Sequence, residues 1–108
     1  MIFAKPPPAP LIPIEWCEVT IIFRRHAGNV DAIDGMAYGT LTIHPSLNDP
    51  ASVDITHLPS KVRIARMGSV DDARTAAEWL WNQCRTAWTG DNVDKSKLTR
   101  EALEWLQQ

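Results

Sequence analysis

The residues of this chain best equipped for chemistry are three histidines, His26, His44 and His57, two cysteines, Cys17 and Cys84, and the acids and hydroxyls around them. No histidine has a partner four residues along, the spacing that sets two metal ligands on one helix face. The cysteines form no CxxC pair. Residues 44–59 hold two histidines, two serines and two aspartates. Those are the ingredients of a nucleophile with its base, but there is no GxSxG elbow and no base-orienting pair. The run Asp91-Asn92-Val93-Asp94-Lys95-Ser96 has the look of a calcium loop. It lacks the glycine at the sixth position and the glutamate at the twelfth that such a loop needs. The five glycines are isolated and make no phosphate-binding loop. The sequence therefore predicts no catalytic residue, no metal and no cofactor.

Recognition residues stand out more clearly. On a helical wheel over residues 70–89, Val70, Ala73, Ala76, Ala77, Leu80, Trp81, Cys84, Ala87 and Trp88 fall within an arc of about 140°. Trp79 lies about 130° from the centre of that arc. Thr75, Asn82, Gln83 and Thr86 surround it, polar and uncharged. An aromatic anchor in a charge-depleted patch is the composition of a protein interface. The alternative is that Trp79 packs under the proline arm or the C-terminal helix of its own chain. The expected function is thus a non-enzymatic protein-binding module acting through an exposed helix face. Its partner is a second copy of the chain, as a homodimer, or an unidentified protein.

A second function class uses the sheet. Trp16, Arg24, Tyr38, Lys61 and Arg63 could share one open face as a small-ligand or single-stranded nucleic-acid surface. Residues 1–68 carry six basic and six acidic side chains, a neutral balance that disfavours nucleic acid. The size and plan are those of small accessory proteins of mobile elements and phages, although no motif carries that likeness. A small enzyme is the third class.

The elements that would position these residues follow from pattern. Residues 4–13 contain five prolines, which cannot donate ladder hydrogen bonds and favour an extended arm. An arm over 1–13 followed by one domain over 14–108 is expected. Residues 14–25 alternate with β-branched and aromatic enrichment and predict a strand. Gly28-Asn29 and Asp34-Gly35 predict turns, and residues 36–44 a second strand. Residues 45–60 allow either a helical turn after Asp49-Pro50 or an edge strand through Val53, Ile55 and His57. Residues 61–67 predict a further strand. Ser69 with Asp72 caps the long helix, and Gly90 ends it. Thr99 caps a short C-terminal helix.

The fold class is then α+β: a small antiparallel sheet of three or four strands packed on one long helix, with a second short helix and the proline-rich arm. The expected core sets Val19, Ile21, Phe23, Leu41, Ile43, Val62 and Ile64 against Ala73, Ala77, Leu80 and Cys84. Both cysteines are expected to be reduced and buried. With 108 residues, a net charge of −2, no basic leader ahead of an apolar run and no apolar run of spanning length, the sequence predicts a cytoplasmic chain that does not enter a membrane.

Overall fold

The structure is a computed structural model that describes residues 15–24 and 28–107. The arm placed at 1–13, and His26, lie outside the described residues. Five strands form one sheet: β1 (Cys17–Arg24), β2 (Val30–Tyr38), β3 (Leu41–Pro45), β4 (Val53–His57) and β5 (Val62–Met67). Their order is sequential and every neighbouring pair is antiparallel, so the sheet is a meander. Among the described residues one long helix, α1 (Val70–Gln83), and two short ones, α2 (Arg85–Trp88) and α3 (Arg100–Leu106), follow, with a 3-10 turn at Lys95–Lys97 before the last. No helix among the described residues is long and apolar enough to cross a membrane.

The sheet has five strands rather than three or four because the expected strand over 36–44 is two. Gly39, with φ of 62°, opens a two-residue turn that brings Tyr38 opposite Leu41. Positive φ at the first loop residue is what a glycine-led hairpin turn supplies. The turn also resets which residues share a face. Met36 pairs with Ile43 and Tyr38 with Leu41, and all four meet the helices.

Asp34-Gly35, expected as a turn, lies inside β2, paired with Thr20 and Val19. A Cβ on Gly35 would come within 2.6 Å of the Ile43 carbonyl. Glycine therefore permits a close backbone approach where β2 leaves β3. Val53–His57 is a strand, as one of the two alternatives had it, but an interior one between β3 and β5.

α1 begins as the sequence predicts, with the Ser69 hydroxyl accepting from the Asp72 amide at 3.1 Å. It stops early. Cys84 sits at φ −151°, ψ 58°, so the expected helix over 70–89 is broken there rather than ended at Gly90. The break turns Trp88 inward, fully buried, with its indole Nε1 donating to the Leu80 carbonyl at 2.9 Å.

The main core lies between the sheet and the helices. It includes Leu41, Ile43, Ala73, Ala77, Leu80 and Cys84 of the expected set, and Ile64 packs against it. Val62 is 52% exposed and Val70 is also exposed, against expectation. Ile21 is buried but does not belong to that cluster. Val19 and Phe23 are half-buried and do not belong to it either.

Pairing explains why. Odd-numbered residues of β1 share the sheet face with Thr42, His44, Asp54 and Thr56, away from α1. Phe23 sits four residues along β2's register from Gly35, about 13 Å in a flat sheet. Yet its ring centroid is 5.4 Å from that of His44. The β1–β2 ribbon therefore curls over the second face. Thr42, His44, Asp54 and Thr56 are all buried, so this face is not open.

Candidate binding groove

Trp79, the residue expected to anchor an exposed face, is 4% exposed. Its ring meets Trp105 of α3 edge-on, with centroids 5.8 Å apart. The neighbours expected to form a rim are tied into the chain as well. The Thr75 hydroxyl donates to the Asp71 carbonyl, and the Asn82 amide to the Glu78 carbonyl. The Gln83 side-chain oxygen accepts from Thr99 at the start of α3. Only Thr86 of the set is fully exposed. The helix face is covered by the chain's own C-terminal helix. This is the alternative in which Trp79 packs under its own C-terminal helix, not the exposed anchor: the wheel measures direction from the sheet alone, and α1 has a second buried side against α3. A signal was present: Leu98, Ala102 and Trp105 recur at helical spacing and need a surface to bury against.

The five residues expected on an open sheet face do not come together. Tyr38 is buried under α1 and Trp16 packs on it, with centroids 5.1 Å apart. The Trp16 indole donates to the Glu78 carboxylate at 2.7 Å, and Arg74 lies over its ring at 5.3 Å. Trp16 and Tyr38 thus join β1 and β2 to α1. Arg24 is exposed at the far end of β1. Lys61 occupies the β4–β5 turn with φ of 62°, its ammonium donating to the Leu58 carbonyl. Arg63 is exposed on β5.

The polar groups singled out for chemistry form structural pairs. His57 is completely buried. Its Nε2 lies 2.8 Å from the Trp88 carbonyl, which can only accept, so Nε2 carries the proton and Nδ1 accepts from Ser60 Oγ at 2.7 Å. A hydroxyl, an imidazole and an orienting carbonyl in line resemble a nucleophile and base. Here both nitrogens are engaged inside the core, and the Thr40 hydroxyl shares the same carbonyl at 2.6 Å. The arrangement fastens the end of α2 to β4 and to the β2–β3 turn.

On the other face, His44 Nδ1 donates to the Pro45 carbonyl and Nε2 accepts from Thr56 Oγ1 at 2.7 Å. Arg66 binds Asp54 at 3.0 Å and Ser46 at 2.9 Å. Among the described residues, no group of three histidines, cysteines or acids could hold a metal. Cys84 is buried and burial pushes its thiol up from the ordinary value. Cys17 is exposed, contrary to expectation, because it stands at the start of the edge strand β1.

A surface that no other described residue fills lies at the opposite edge. A cleft of about 350 Å³ runs beside β5. Val62 and Ile64 form one wall. Leu103 and Leu106 of α3 form the other, and Val93, Leu98 and the buried Trp88 close it below. Arg63 and Lys95 stand on its rim with Gln107. Val62 and Leu103 are among the few large apolar side chains that are exposed, at 52% and 36%. Sequence reasoning missed this groove because its apolar residues come from β5, α2, α3 and the segment between α2 and α3, which only the tertiary fold brings together. Comparison of the chain with protein-family models, curated proteins and solved structures finds no match.

Proposed function

We propose that this chain is a non-enzymatic protein-binding module whose recognition surface is the groove between β5 and α3. The observation that carries this reading is the combination in one place of apolar walls, a polar rim and a sheet edge that is unpaired among the described residues. Exposed apolar clusters rimmed by polar groups mark interaction sites. A sheet edge offers main-chain hydrogen bonds to a partner.

The partner is another protein rather than a second copy. A two-fold contact centred on β5 would bring Arg63, which has no ion-pair partner among the described residues, against its own counterpart, and like charges opposed at an interface are costly.

The test is selection of random short peptides on the immobilised protein, followed by affinity measurements with Val62→Asp and Leu103→Asp. Both side chains are exposed, at 52% and 36%, and far-ultraviolet circular dichroism checks that each variant keeps the fold. Selected peptides are expected to lose at least about tenfold in affinity for both variants and to bind Thr86→Ala as they bind the parent. Undiminished binding to the groove variants would refute the reading.

A further inference from the structure

The groove also carries information about what fills it. Val62, Arg63 and Ile64 are consecutive, yet all three line the cleft. Successive strand residues point to opposite faces. Val62 and Arg63 precede the bulge and still alternate, so a groove that both line runs beside the strand's edge. An occupant of this groove therefore lies against the β5 backbone, which among the described residues has a hydrogen-bonded neighbour on one side only, β4. The register shift between Ile55 and Thr56 leaves Ile64 as the extra residue of a bulge. Pairing along the outer edge is thereby restricted to the short stretch before it.

The charges point the same way. Arg63 and Lys95 line the groove, and among the described residues no carboxylate does. The nearest acid in sequence, Asp94, does not line the groove, and its Oδ1 accepts from the Ser96 amide and hydroxyl at 3.1 and 2.6 Å. Glu104 on α3 is held by Arg100. The other basic groups nearby are also occupied, Lys61 by the Leu58 carbonyl and Arg66 by Asp54. Arg63 and Lys95 have no ion-pair partner among the described residues.

Resting on the reading of the groove as a protein-binding site, we infer that its occupant is an extended, acidic peptide segment of a partner protein. The segment adds along the edge of β5 before the bulge, inserts apolar side chains between β5 and α3, and sets a carboxylate between Arg63 and Lys95. Strand addition supplies affinity through the main chain, and the pocket and the cations supply the choice of sequence.

The experiment uses three fluorescein-labelled peptides with one Val-Leu-Val centre, read by fluorescence anisotropy on the full chain. The first is flanked by glutamates, the second by lysines, and the third is the glutamate peptide with N-methylated central amides. The glutamate peptide is expected to bind at least about tenfold more tightly than the lysine peptide at low salt, with the gap narrowing near 0.5 M salt. N-methylation should weaken it by a similar factor. Arg63→Gln and Lys95→Gln should each erode the preference while leaving the far-ultraviolet circular dichroism unchanged.

Equal binding of glutamate and lysine peptides, with both lost in Leu103→Asp, would overturn the acidic inference and leave the groove reading standing. Unchanged binding of the N-methylated peptide would overturn the strand-addition part. Binding indifferent to Leu103→Asp would remove the groove reading itself.

Discussion

Trp79 and Trp105 meet edge to face, their ring centroids 5.8 Å apart, and both indoles are buried within the one chain. This contact holds α3 against α1, and α3 in turn supplies Leu103 and Leu106 to the groove. The tryptophan pair is therefore a support for the proposed recognition surface and not part of it. Trp79→Ala is expected to cost about 3–5 kcal/mol of stability. A double-mutant cycle with Trp105→Ala should show a coupling of about 0.5–1.5 kcal/mol. Urea unfolding checks both. A variant that keeps its unfolding midpoint would show that α3 does not dock as described.

The two thiols should behave differently. Cys17 is exposed and Cys84 is buried, its thiol held protonated by desolvation. Titration of the native protein with a thiol reagent should show one fast and one slow group, and Cys17→Ser should abolish the fast one. The slow group should become fast in denaturant. Two groups reacting at equal rates would contradict the placement of one of them.

Gly39 and Gly28 both have positive φ, 62° and 79°. An added Cβ at Gly39 would lie 2.5 Å from the Trp81 ring, whereas at Gly28 it meets nothing within 4 Å. Gly39→Ala carries a backbone penalty plus a clash with a buried ring, and should cost more than about 1 kcal/mol. Gly28→Ala carries the backbone penalty alone and should cost less. The order of the two melting temperatures decides the point, and a reversed order would contradict the hairpin packing.

Much of the fold was legible in the sequence. The alternation of Cys17 through Arg24, the Ser69 cap and the Thr99 cap all lead to the elements observed. The strand count was not. Apolar residues at 36 and 38 resume at 41 and 43, a change of parity across Gly39-Thr40 that marks a two-residue turn. A continuous alternation was read through it instead. The break at Cys84 has no sequence signal, because cysteine is not a helix breaker. It follows from the needs of Trp88, whose indole and carbonyl both find buried partners. The candidate site was least legible. Of the residues expected at a functional surface, only Arg63 lies in the groove.

Asp49 gives a pH dependence of known sign. Its Oδ2 accepts from the Ser52 hydroxyl at 2.7 Å and its Oδ1 from the Ala51 amide at 3.1 Å. The Ser52 hydroxyl first, and the Ala51 amide second, hold the carboxyl below its ordinary value. The folded pKa is thus lower than the unfolded one, near 3.9. The resulting stabilisation is present above that ordinary value and is lost as the pH falls through the lower folded value. The Asp49 side-chain resonances should titrate below the ordinary range. Asp49→Asn should flatten the stability profile in that acid window. An ordinary titration would contradict the loop geometry.

The most direct test of the central claim is a nuclear magnetic resonance titration of the isotope-labelled chain with the peptides selected on it. The account places the largest amide shift changes at Val62, Arg63 and Ile64 of β5, at Lys95 and Leu98, and at Leu103 of α3. Changes concentrated instead around Thr42, His44 and Arg66 on the opposite sheet face, with β5 and α3 silent at saturation, would contradict it.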